Sequence, residues 1–100
     1  MDGWTALADP TRRSILELVA ERPRPVGELA KVLPITRPAV SQHLKLLKTA
    51  GLVVDRAEGT RRIYRASPDG LRDLRAQLDR FWNDALANFK DLVEQSQEEP

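Results

Sequence analysis

The sequence predicts a mainly helical domain that carries one small β-hairpin, and three observations predict it. Residues 25–51 hold two short amphipathic segments separated by a proline turn. After Gly51 the apolar period switches from helical to alternating, and it returns to helical after Ser67. A near-heptad apolar stripe then runs from Leu71 to Leu92. The expected architecture is a winged helix-turn-helix: five helices and a two-stranded wing, paired as a homodimer through the first and last helices.

The elements follow in order. Asp2 can cap a short first helix, Gly3–Ala8, which presents Trp4 and Leu7. Asp9-Pro10, a cap followed by proline at the first helical position, starts a second helix that buries Ile15, Leu16, Leu18 and Val19 and stops at Arg22-Pro23. Val26, Leu29, Ala30 and Leu33 make the third helix amphipathic, and Pro34-Ile35 turns the chain. Thr36 caps the fourth, Pro38 is tolerated in its first turn, and Gly51 stops it. Leu52-Val53-Val54 and Ile63-Tyr64 flank Glu58-Gly59-Thr60, a glycine turn joining strands of roughly six residues each. Ser67-Pro68-Asp69 caps a last helix of about 25 residues, ~37 Å long, ending near Val93. The domain is expected over residues 1–94, with dimerisation helices at 1–8 and 68–94 and a flexible polar tail at 95–100.

The fourth helix has two incompatible surfaces. Val40, Leu44 and Leu47 form an apolar stripe, whereas Arg37, Pro38, Ser41, Gln42, Lys45 and Lys48 form a face without a carboxylate. Solvated helices ordinarily mix charges, because acid–base pairs one turn apart support them. Cations with neutral donors suit phosphates and base edges instead. By itself the pattern also fits an αα-hairpin in a structural bundle.

Charge is segregated along the chain. The net charge is only +1, yet residues 29–65 hold eight cations against Asp55 and Glu58, a local +6. Residues 1–28 carry −1 and residues 66–100 carry −4. A polyanion responds to the local field rather than to the net charge. The hairpin contributes Arg56, Arg61, Arg62 and Arg65 to the positive segment. In the last helix Leu71, Leu74, Leu78, Phe81, Ala85, Phe89 and Leu92 form a seam that Trp82, Leu86 and Val93 broaden. A small domain has little surface with which to cover so long a stripe, and an uncovered one favours aggregation. The predicted dimer interface is therefore Trp4, Leu7, Leu71, Leu74, Leu78, Phe81, Trp82, Ala85, Leu86 and Phe89.

Several classes are disfavoured. The chain has no cysteine, hence no disulfide and no thiolate nucleophile or ligand. Ser41 and His43 diverge by about 200° on a helix and cannot act as nucleophile and base, so no enzyme is expected. No apolar run approaches the ~20 residues of a membrane span, and the first residues do not resemble a signal peptide. A cytoplasmic, nucleoid-associated protein without a cofactor is expected. The competing class is a winged-helix interaction module whose basic face docks a protein; it calls for apolar anchors on the exposed face of residues 37–48, and there are none.

The stretches Leu7-Ala8-Asp9-Pro10-Thr11-Arg12-Arg13, Gly27-Glu28-Leu29-Ala30, Arg37-Pro38-Ala39-Val40-Ser41-Gln42-His43-Leu44-Lys45-Leu46-Leu47, Ala50-Gly51-Leu52-Val53 and Gly59-Thr60-Arg61-Arg62-Ile63-Tyr64 resemble the ArsR family of bacterial winged-helix repressors. The resemblance implies a dimeric repressor of transcription that binds a double-stranded DNA operator. It places Thr36, Arg37, Ser41, Gln42 and Lys45 toward the major groove and Arg61 and Arg62 at the wing. Pro38 and Lys48 share the exposed face. His43 lies on the flank of the apolar stripe, where a base contact and packing are both open; it is included among the DNA-facing residues. Many relatives sense metals through a cysteine pair or an Asp/His/His/Glu cluster. Here there is no cysteine, and the single histidine sits in the fourth helix. Asp69, Asp73, Asp79, Asp84 and Asp91 read as a solvated outer face, so no metal site is expected. The effector is left open.

Overall fold

The computed structural model describes residues 1–98, in the order α1 (Gly3–Leu7), α2 (Pro10–Glu21), β1 (Arg24–Pro25), α3 (Val26–Val32), α4 (Arg37–Thr49), β2 (Val53–Glu58), β3 (Arg61–Ala66) and α5 (Pro68–Glu98). The expected caps form. Asp2 accepts from the Thr5 amide at 2.7 Å, and Asp9 accepts from the amides of Thr11 and Arg12 at 2.7 and 3.1 Å. The Arg12 Nε then donates to the Ala6 carbonyl at 2.7 Å, tying α1 to the start of α2.

The core is built around α4. Val40, Leu44 and Leu47 are fully buried, together with Ile15 of α2, Leu29 of α3 and Ala6 of α1. Leu52, Val53 and Ile63 close the core from the sheet side. Helix α4 ends in a Schellman turn. Gly51 adopts φ 79°, its amide donates to the Lys48 carbonyl, and the Leu52 amide donates to the Leu47 carbonyl, both at 3.0 Å.

The wing has the expected form. Strands β2 and β3 pair antiparallel with Glu58 opposite Arg61, leaving a two-residue loop. Gly59 takes φ 61°, the positive value required at the first loop position of a tight hairpin turn. One element was not anticipated: β1 adds a third strand, in the order β1-β3-β2, with Arg24 opposite Tyr64 and Pro25 opposite Ile63. A two-residue strand containing proline has no readable period, and Pro25 is tolerated because β1 is an edge. Arg24 is the buried charge of this corner. Its guanidinium donates to the Leu18 carbonyl at 2.8 Å, to Glu21 at 2.8 Å and to Glu28 at 3.3 Å.

Helix α5 departs from expectation in two respects. It continues to Glu98, past the end expected near Val93, so residues 95–98 are helical rather than a tail. No glycine or proline interrupts the run after Gly70 within the helix, and Glu and Gln are good helix formers. Residues 99–100 of the expected tail lie outside the described residues. The second departure concerns the stripe. Leu7, Leu71 and Leu74, expected at a dimer interface, are partly buried against the core of their own chain. Beyond Gln77, which accepts from the Trp4 indole N–H at 2.9 Å, the helix leaves the body. The molecule is consequently elongated, 71 × 26 × 22 Å.

The start of α5 sits hard against the end of α4. The Ser67 amide donates to the Leu52 carbonyl at 2.9 Å, and a Cβ on Gly70 would fall 1.8 Å from the Gly51 carbonyl oxygen. Replacing glycine by alanine inside a helix ordinarily gains about 1 kcal/mol. Here Gly70→Ala is expected to reverse the sign and cost at least the ~1–3 kcal/mol of an overpacked core. Urea unfolding checks this; a midpoint equal to or above that of the parent would contradict the close approach.

Candidate nucleic-acid interface

Helix α4 buries one side and leaves the other bare. Thr36, Arg37, Pro38, Ser41, Gln42, Lys45 and Lys48 are all exposed, and no acid stands among them. The Thr36 hydroxyl oxygen accepts from the Ala39 amide at 3.3 Å, so this residue starts the helix as well as facing outward. Gln42 and Lys45 border a shallow depression with Leu46 and Thr49.

Apart from Lys45, the cations on and beside the face fall into two groups. The first surrounds an open concavity of about 360 Å³ between α3, the first turn of α4 and the wing, lined by Lys31, Arg37, Arg61 and Glu28 with Pro25 and Gly27. The Arg37 guanidinium lies over Gly27, within 3.5 Å of where a Cβ would stand. Glu28 is engaged by Arg22 and Arg24, which draw its carboxyl below the usual range, the Arg22 hydrogen bond contributing most. The second group centres on Asp55. Its Oδ1 takes the Lys48 Nζ at 2.8 Å and its Oδ2 takes the Arg62 Nη1 at 2.7 Å. The hydrogen bond from Lys48, followed by that from Arg62, holds this carboxyl below its ordinary pKa.

The structure thus brings the expected helix residues together on one surface and joins them to the wing through Arg61 and Arg62. His43 stands apart from the exposed row. It is half-buried rather than aligned with Ser41, Gln42 and Lys45, and its Nδ1 is buried without a hydrogen-bond partner among the described residues. Two residues were missed. Lys31 enters the concavity because α3 ends beside Arg37, a tertiary proximity with no sequence signal. Asp55 had one: it faces Tyr64 across the ladder, so Arg62 is its diagonal neighbour on the same face.

Among the described residues there is no cluster of three or more His, Cys, Asp or Glu that could hold a metal ion, and no helix long and apolar enough to cross a membrane.

Comparison with known proteins decides the class. Residues 9–54 match the family described as "Bacterial regulatory protein, arsR family". The HTH-type transcriptional regulator Rv2034 of Mycobacterium tuberculosis (strain ATCC 25618 / H37Rv) is 59% identical over 91 residues, covering 91% of this chain and 85% of that protein. The chain belongs to the arsR family. The transcriptional repressor SdpR of Bacillus subtilis (strain 168) is 35% identical over 70 residues, 70% of this chain and 78% of that one. A crystal structure of a possible transcriptional regulator for arsenical resistance superposes with TM-score 0.77 at 40% identity, over 88% of this chain and 96% of that one. The homodimeric winged helix-turn-helix DNA-binding domain Mb0332 of Mycobacterium bovis, solved by NMR, gives TM-score 0.65 at 34% identity, over 80% of this chain and 74% of that one. As an arsR-family member the protein is a DNA-binding transcriptional regulator with a winged helix-turn-helix, and it is not an enzyme.

The depressed Asp55 carboxyl has a thermodynamic consequence. A group whose pKa is lowered by folding contributes stability in full above its unfolded value, and that contribution disappears as pH falls through the folded value. Thermal stability should therefore decline on acidification through the carboxylate range, and less steeply in Asp55→Asn. Melting curves from pH 7 to pH 3 test this; parallel declines would show that the pairing contributes nothing.

Proposed function

We propose that the protein is a sequence-specific repressor that binds a palindromic operator as a homodimer in the cytoplasm, on the nucleoid. The observation that carries this reading is the bare, acid-free face of α4, joined at both ends to cations of the wing. Gln42 and Arg37 are the base readers, since glutamine matches the adenine edge and arginine the guanine edge. Thr36, Ser41, Lys45 and Lys48 hold phosphates or sugars, Pro38 presents the first turn, and Arg61 and Arg62 reach phosphates or the minor groove beside it. Occupancy of a promoter then excludes polymerase, and the chain's own promoter is the first candidate target.

Dimerisation is inferred from what α5 leaves uncovered. Phe81, Phe89 and Leu92 are 66%, 65% and 62% exposed, and Trp82, Leu86 and Leu78 are exposed as well, though less so. Trp4, Leu78 and Phe81 line an open apolar cleft of about 300 Å³ where α1 meets α5. A second copy placed on this stripe, with Ala85 at its half-buried centre, covers it and sets two α4 helices side by side, ~34 Å apart for successive major grooves. The homodimeric relative of known structure supports that assembly.

If each subunit neutralises about four phosphates, the logarithm of affinity should fall with the logarithm of salt concentration with a slope near −7 for the dimer. Gln42→Ala should relax discrimination at one base pair per half-site, by about 1–3 kcal/mol, whereas Lys45→Ala should weaken all duplexes alike. Fluorescence anisotropy against operator and scrambled duplexes measures both, and a salt-independent affinity would overturn the interface. Phe81→Glu combined with Phe89→Glu should yield a monomer in sedimentation equilibrium and abolish operator binding at concentrations that saturate the parent. A double variant that remains dimeric would place the contact elsewhere.

A further inference from the structure

One acid of the basic segment, Asp55, is an anomaly. Every carboxylate near a polyanion repels it, and residues 29–65 contain only Asp55 and Glu58. Glu58 is at the wing tip with a side chain 56% exposed, and its ion pair with Arg56 is a solvated contact at 3.4 Å. Asp55 is different in kind. Its side chain is 6% exposed, and its two oxygens hold one cation each, from the last turn of α4 and from β3. Both cations are among those read above as DNA contacts.

The placement explains what such a carboxylate can do. Strand β1 grips β3 at Ile63 and Tyr64, but toward the turn the hairpin residues Arg56–Arg62 are all exposed. Asp55 lies where the hairpin leaves the body, and Arg62 is the first residue of β3 beyond the β1 pairing toward the turn. A free lysine and a free arginine are long side chains with many rotamers, and ordering them on DNA costs side-chain entropy. Two hydrogen-bonded ion pairs on one buried carboxylate impose that order beforehand.

We propose that Asp55 is a positioning residue of the DNA interface: it clasps Lys48 and Arg62 and so fixes the wing against the recognition helix before DNA arrives. It lowers raw attraction to phosphates by one charge and raises selectivity by pre-setting the geometry in which helix and wing engage one site together. The inference rests on the reading of Lys48 and Arg62 as DNA-facing, and the test separates the two.

Asp55→Asn and Glu58→Gln each remove one negative charge from the wing. Their dissociation constants are measured by anisotropy for the operator fragment retained by the parent from sheared DNA and for a scrambled duplex of equal length. Glu58→Gln should tighten both by a similar, roughly threefold factor and leave their ratio unchanged. Asp55→Asn should tighten the scrambled duplex but lower the ratio of the scrambled to the operator dissociation constant about tenfold, the scale of one lost specific contact. A ratio equal to the parent's overturns the positioning role. If Lys48→Ala and Arg62→Ala weaken neither duplex, the DNA-facing assignment itself fails; if they weaken both while Asp55→Asn keeps the ratio, only the clasp fails. Side-chain ¹⁵N relaxation of the DNA-free parent gives a readout independent of variants. The Arg62 Nε–H should be markedly more ordered than that of Arg56, and equal mobility overturns the proposal.

Discussion

Helix α4 must be greasy on one side and bare on the other, and the rest of the molecule follows from that division. Val40, Leu44 and Leu47 have no solvent exposure, and α1, α2, α3 and the sheet are each placed by what they contribute around that stripe. Burial of three large side chains is worth several kcal/mol, of order 1.5–3 kcal/mol apiece. That exceeds what any surface ion pair of the outer face could contribute. Apart from the Thr36 cap, the side chains of the outer face are not needed to hold the helix down.

The same helix transmits its position to the remainder through its C-terminal turn. The Schellman closure at Gly51 sends the chain into β2, and the Gly51 carbonyl presses on Gly70, so wing and α5 both take their bearings from one turn. This shared origin couples two surfaces that are far apart in the elongated molecule. The direction in which α5 departs sets where its exposed apolar stripe is presented.

Much of this was legible in the chain. Caps at Asp2, Asp9, Thr36 and Ser67, the stop at Gly51 and the turn at Gly59 are local chemistry, and local chemistry is written in neighbouring residues. The outer face of α4 was readable for the same reason, because helical period alone sorts Arg37, Ser41, Gln42 and Lys45 from Val40 and Leu44. What escaped depends on distant parts meeting. Strand β1 exists only because β3 offers it an edge, and Lys31 joins Arg37 only because two helix ends converge. The proximal stripe of α5 has the same period whether it meets its own core or a second chain, so Leu71 and Leu74 could not be told from Phe81 and Phe89. His43 sat on the boundary of two faces, where a few degrees of rotation decide the side.

The two indole rings have an optical consequence. The chain contains two tryptophans, Trp4 and Trp82, and both are largely solvent-accessible along the α1–α5 edge, while the interior around α4 contains none. Tryptophan emission from this protein therefore views that edge and not the nucleus of the fold. A shift toward the blue would signal that something has shielded that edge, and an unchanged spectrum would be blind to loosening deep inside.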